Sequence, residues 1–235
     1  MLCGGLELRG CSLRATDGVL GEVRDVLFDD QTWAVRYAVV DTRRWLPGRK
    51  VLLAPVSLGR PDMERREIPV SLSRQLVRDS PPIESHEPVS RQMEEDLHRW
   101  YGWAPLFGGH NYGYPAGYPA GVVPPPDTLP PERAEEQSAH LRSMDAVKGY
   151  RTVALDGEVG FVLDFLIEDD DWTVHSVVVD DGGWITGKAR VIPVGWVSGI
   201  RWAERELSVT ARGRQISASP EYDPAIRASR EYERR

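Results

Sequence analysis

The chain has 235 residues, enough for one large domain or two small ones, and 41% of them are hydrophobic, with eight Trp, so sizeable cores can form. Its net charge of −7, divided as +2 over residues 1–80, −6 over 81–146 and −3 over 147–235, argues against a general polyanion binder. Cys3 and Cys11 are the only cysteines, which excludes a disulfide scaffold and a four-cysteine zinc site and fits a reduced, cytoplasmic setting.

In chain order, "MLCGGLELRG" lacks the basic start and apolar run of a signal peptide, and no stretch reaches the ~20 apolar residues of a membrane span. At "DGVLGEVRDVLFDD", residues 17–30, the Asp-Gly dipeptide favours positive φ at Gly18 and predicts a tight hairpin entering a strand over Val19–Phe28. After the acidic turn at Asp29–Asp30, the residues Trp33, Val35, Tyr37 and Val39 alternate with Arg36 opposite, the pattern of a half-buried strand. "KVLLAPVSL" and "RREIPV" supply two more strands, completing a first unit over 1–80. The stretch "SRQMEEDLHRWYGW" reads as an amphipathic helix appended over 81–104, with Val89, Met93, Leu97, Trp100 and Tyr101 on one stripe and Ser90 placed to cap it. Residues 105–146 follow as a Gly/Tyr/Pro-rich flexible linker, ending in a short helix over "PERAEEQSAHLRSMDAV".

The opening hairpin then returns as "DGEVGFVLDFLIED", residues 156–169. A shift of 139 residues aligns Asp17–Gly48 with Asp156–Gly187 without a gap, and 14 of the 32 pairs are identical. Gly18/Gly157, Gly21/Gly160, Asp25/Asp164, Trp33/Trp172 and Trp45/Trp184 are among them. "RVIPVGWV" and "ERELSVT" repeat the later strands, so a second unit spans 147–220, and the tail 221–235 echoes the helix region after the first. Each unit packs five or six short strands into about 75 residues and buries enough surface only by curling into a small barrel, although periodicity leaves a sandwich open.

The "DG-x-x-G-x-V-x-D" opening, the acidic turn before Trp, the "V-V-D" strand end and the strand closing on Pro resemble the PRC-barrel in both copies. That barrel is named after the cytoplasmic domain of the photosynthetic reaction-centre H subunit, and it also forms the C-terminal half of a ribosome-maturation factor that binds a ribosomal protein. The resemblance covers residues 6–80 and 147–220, and "VSRQMEEDLHRWYGW" is similar to bacterial tandem-barrel relatives labelled H-subunit-like. It implies a mainly β fold of two PRC-type barrels joined by a helix and a linker.

Asp25 and Asp164 stand inside strands, where a carboxylate is unusual. The structural reading, acceptance of backbone N–H bonds at a barrel corner, is preferred to a catalytic acid pair. Gly18, Gly21, Trp33, Gly157, Gly160 and Trp172 are likewise read as structural. The acidic turns Asp29–Asp30 and Glu168–Asp171 lack the alternating ligands and Gly of a calcium loop and read as solvated turns. His86, His98, His110, His140 and His175 show no metal-ligand spacing, and no hydrolase, Walker or dinucleotide motif occurs. No enzyme, cofactor or metal is expected. "RRWLPGRK" groups Arg43, Arg44, Arg49 and Lys50 around Trp45, an RNA-contact candidate, but its copy around Trp184 loses half the charge. The leading expectation is a cytoplasmic, non-enzymatic adaptor binding a protein partner through Met93, Leu97, Trp100, Tyr101, Trp45 and Trp184. RNA or ribosome association and an H-subunit-like role beside a membrane electron-transfer complex are the alternatives. Intramolecular barrel–barrel pairing and a homodimer both stay open.

Overall fold

The computed structural model describes residues 1–42, 46, 49–81, 89, 91–103, 140–182 and 187–223. The protein is mainly β, with two sheets and a few helices. The first half runs β1 (Leu2–Gly4), α1 (Gly5–Leu8), β2 (Ser12–Ala15), β3 (Gly18–Asp29), β4 (Val35–Asp41), β5 (Lys50–Leu53), β6 (Glu67–Pro69), α2 (Arg74–Arg78) and α3 (Arg91–Tyr101). The second runs β7 (Leu141–Ser143), α4 (Met144–Val147), β8 (Arg151–Ala154), β9 (Gly157–Glu168), β10 (Thr173–Asp180), β11 (Ala189–Pro193), β12 (Val197–Arg201), β13 (Glu206–Val209) and α5 (Gly213–Ser217). One sheet has the order β5-β4-β3-β2-β6, the other β11-β10-β9-β8-β13-β12. The β2–β6 and β8–β13 pairs are parallel. Among the described residues no ladder joins the two ends of either sheet.

The repeated glycines mark where the backbone crowds. A Cβ on Gly21 would stand 2.3 Å from the Asp41 carbonyl oxygen, and one on Gly160 equally far from that of Asp180. No side chain fits there. Gly18 (φ 138°) and Gly157 (φ 137°) take the positive φ that the Asp-Gly turns predict.

Three expectations change. Trp33 and Trp172 are not on the strand face. They precede the strands in left-handed backbone (φ 61° and 57°), because each N–H turns back onto the carbonyl of Asp29 or Glu168, at 2.8 and 2.9 Å. Strand β4 is buried on both faces rather than half-buried. Val35, Ala38 and Val40 face the main core, while Tyr37 packs with Leu52, Ala54 and Leu97 beneath α3. Leu141–Ser143, which falls inside the short helix expected over 131–147, forms strand β7, because pairing with β3 overrides local helix preference. Met144–Val147, the last turn of that expected helix, is helical as α4, while its part before residue 140, the rest of the linker through residue 139, Ser90 and the tail beyond 223 lie outside the described residues.

Candidate functional site

The two sheets exchange their first strands. β1 pairs with β9 (Leu2↔Glu168, Cys3↔Ile167, Gly4↔Leu166), and β7 pairs with β3 (Leu141↔Asp29, Arg142↔Phe28, Ser143↔Leu27). Every member of the first set, moved by 139 residues, gives the matching member of the second, so the seam has pseudo-two-fold geometry. The same shift relates Ala34 to Thr173, which form a bridge with each other on the pseudo-axis. There the left-handed Trp residues turn their carbonyls outward: Trp172 O accepts from Val35 N–H at 2.8 Å, and Trp33 O from Val174 N–H at 2.7 Å. Side chains close the same seam. The buried rings of Phe28 and Phe165 meet at 5.1 Å, and Phe28 stacks on Trp33 at 5.6 Å.

The strand carboxylates hold the exchanged segments. Asp25 Oδ1 accepts the N–H of Val26 (2.8 Å) and of Asp145 in the other lobe (3.1 Å), while its Oδ2 accepts the Ser143 hydroxyl (2.5 Å). Asp164 Oδ1 accepts the N–H of Phe165 (2.8 Å) and of Leu6 in the other lobe (3.0 Å). Both carboxyls are raised from the ordinary aspartate value, chiefly by burial, which the Ser143 hydroxyl at Asp25 and the N–H donors at both only partly offset. They line one cleft, whose twelve lining residues form six pairs at the 139-residue spacing, from Gly5/Met144 to Val26/Phe165. Arg9 and Asp145, at 2.6 Å, form an ion pair beside it.

The acidic turns are only partly the solvated turns that the sequence suggests: Asp170 and Asp171 are exposed, but Asp29 and Asp169 are buried. Asp29 is buried, its Oδ1 accepting from the N–H groups of Gln31 (3.0 Å) and Thr32 (2.9 Å). Asp30 receives Arg142 at 2.7 Å and His140 at 2.8 Å from the start of the second half. Its equivalent, Asp169, is bound in a fork by Arg60 of the first half, at 2.7 and 2.9 Å. Burial alone would raise the Asp169 carboxyl, but Arg60 and the chain's amino group hold it below its ordinary value. Glu168, Asp169 and Asp170 bring three carboxylates together, and Arg60 reaches both Asp169 and Asp170.

The helix stripe lies on its own sheet. Leu97 is fully buried over Tyr37, and Met93 and Tyr101 pack around it, with Tyr101 stacked on Trp103 at 4.4 Å. Trp100 turns outward, 42% exposed, its indole N–H donating to the Leu76 carbonyl at 3.2 Å. Beneath α3 lies a polar set that hydrophobic patterning gave no reason to expect. Arg36 donates to Glu94 (2.9 Å) and Asp29 (3.3 Å), and the Tyr37 hydroxyl meets His98 Nε2 at 3.1 Å. Burial pushes Glu94 upward against the pull of Arg36.

Of the basic cluster, Arg49 is engaged in the fold. Its guanidinium donates to the carbonyls of Arg78 (2.6 Å) and Ser80, fastening the end of α2. Lys50 is exposed on β5, and Arg43, Arg44, Trp45 and Trp184 lie outside the described residues. Among the described residues no helix is long and apolar enough to cross a membrane. A scan against protein-family models and a search of curated proteins both find no match.

Proposed function

We propose that the chain is a tandem PRC-barrel protein, one small barrel duplicated, that serves in the cytoplasm as a non-enzymatic adaptor for a protein partner. The carrying observation is the fate of Asp25 and Asp164, the two repeated strand carboxylates. Each accepts one backbone N–H group of the opposite lobe, so these acids serve cohesion of the fold. A body pinned in this way suits a scaffold, because a rigid surface loses little entropy when a partner docks. Fold-level analogy supplies the rest of the reading. The surface offered is that around Trp100, an exposed aromatic on a helix whose remaining stripe anchors it to the sheet. Indole rings of this kind dominate binding energy at protein interfaces.

The test compares two full-length variants in pull-downs at moderate salt after each is shown to fold. Trp100→Ala is expected to weaken partner recovery by the ~2 kcal/mol or more of a hot spot. Removing the charges of Arg43, Arg44 and Lys50, with Arg49 kept for its structural bonds, is expected to leave recovery unchanged. The opposite pattern would make RNA the leading partner.

A further inference from the structure

We propose that Asp164 is an acid-responsive clasp of the seam: taking up a proton at this carboxylate tightens the union of the two lobes. The molecule contains its own control, the counterpart Asp25. Both aspartates occupy the same place in their long strands, and both accept the N–H of the next residue and an N–H of the opposite lobe. Asp164 is the more buried of the two, and their hydrogen bonds differ in one donor. Ser143 gives its hydroxyl to Asp25 Oδ2, whereas the position equivalent to Ser143 beside Asp164 is Gly4, which has none. The vacant direction is tightly walled, since a Cβ on Gly4 would stand 2.7 Å from Asp164 Oδ2 and 3.4 Å from the Tyr222 hydroxyl. Asp164 is only 7% exposed, so water offers little replacement for the missing hydroxyl.

The charged surroundings do not cancel this. Glu7 on α1 opposes ionisation of Asp164, and Lys148, just after α4, favours it. Arg9, Arg24, Asp25 and Asp145 share the cleft, Tyr222 approaches from the C-terminal segment, and Cys3 sits on the adjoining strand β1. Burial, the largest influence, pushes the Asp164 carboxyl up to about 6. A carboxyl raised on folding favours the folded state in its protonated form. The stability it supports is therefore complete below the ordinary aspartate range and is lost as the pH climbs through about 6. For an ordinary aspartate in the unfolded chain, this amounts to about a tenfold larger folded-to-unfolded ratio at about pH 5 than at about pH 8.

The experiment uses the full chain. Carboxyl carbon-13 resonances of Asp164 and Asp25 are followed by NMR against pH, and denaturant unfolding is measured at both ends of that pH range. Asp164 is expected to inflect near 6 and Asp25 lower. Asp164→Asn, permanently neutral with an oxygen still able to accept, is expected to erase the roughly tenfold contribution and to gain stability at the alkaline end. Ser143→Gly is expected to move the Asp25 inflection up toward that of Asp164. An Asp164 inflection in the ordinary carboxylate range, or an Asn variant that keeps the full wild-type pH difference, would overturn the proposal. If the Asn variant does not fold, the wild-type titration decides it alone.

Discussion

Phe28 and Phe165 give the sharpest test of packing across the seam, because one ring comes from each long strand and both are buried. Truncating either to Ala empties an aromatic site and is expected to cost about 3–5 kcal/mol. Both truncations together would remove most or all of the 5–15 kcal/mol typical of a folded domain. A double-mutant cycle is therefore better made with Leu, which keeps most of the volume and costs roughly 1–1.5 kcal/mol per site. Centroids 5.1 Å apart with planes inclined at 46° fall within the range of favourable aromatic pairs, so a coupling of about 0.5–1.5 kcal/mol is expected. Urea unfolding of wild type, both single variants and the double variant, monitored by tryptophan fluorescence and far-UV circular dichroism, yields this coupling. The two probes should give one coincident transition. Additivity within ~0.3 kcal/mol, or two separate transitions, would refute packing of the two lobes as one unit.

Gly21→Ala and Gly160→Ala should each lower the melting temperature, with a cost of roughly 1–3 kcal/mol or more, because the new Cβ meets a backbone carbonyl that no rotamer change can move. Unchanged melting would mean that β3 and β9 lie farther from their neighbours than described. Arg36→Met should destabilise by about 3–5 kcal/mol, since Glu94 and Asp29 would stay buried without their cation. Adding Glu94→Met should recover a large part of that loss in the same unfolding assay, and no recovery would argue against a direct pair.

Much of the fold is legible in the sequence. The 139-residue shift, the Asp-Gly turns and the crowded Gly21 and Gly160 all leave local marks, because each is a demand on one stretch of backbone. Asp25 and Asp164 are recognisable as acceptors of backbone N–H groups, but their donors are not, since these stand in the opposite lobe. The exchanged strands β1 and β7 have three residues each, too few to display a period of two. Asp30 and Asp169 look like solvated turn residues because nothing nearby in sequence announces Arg142 or Arg60. Arg36 is hidden for a similar reason. A charged residue opposite Tyr37 reads as solvent-facing until a helix from later in the chain covers it.

Reciprocal strand exchange is tested most directly by cutting the chain between the halves and asking whether they part. A specific protease site placed within residues 105–130 allows complete cleavage of the native protein into fragments near 1–104 and 131–235. With β1 paired to β9 and β7 to β3, the nicked protein should elute under native conditions as one species at the intact size of 26.4 kDa, separating only in denaturant. Two smaller species resolving under native conditions, each with its own folded spectrum, would contradict the exchange.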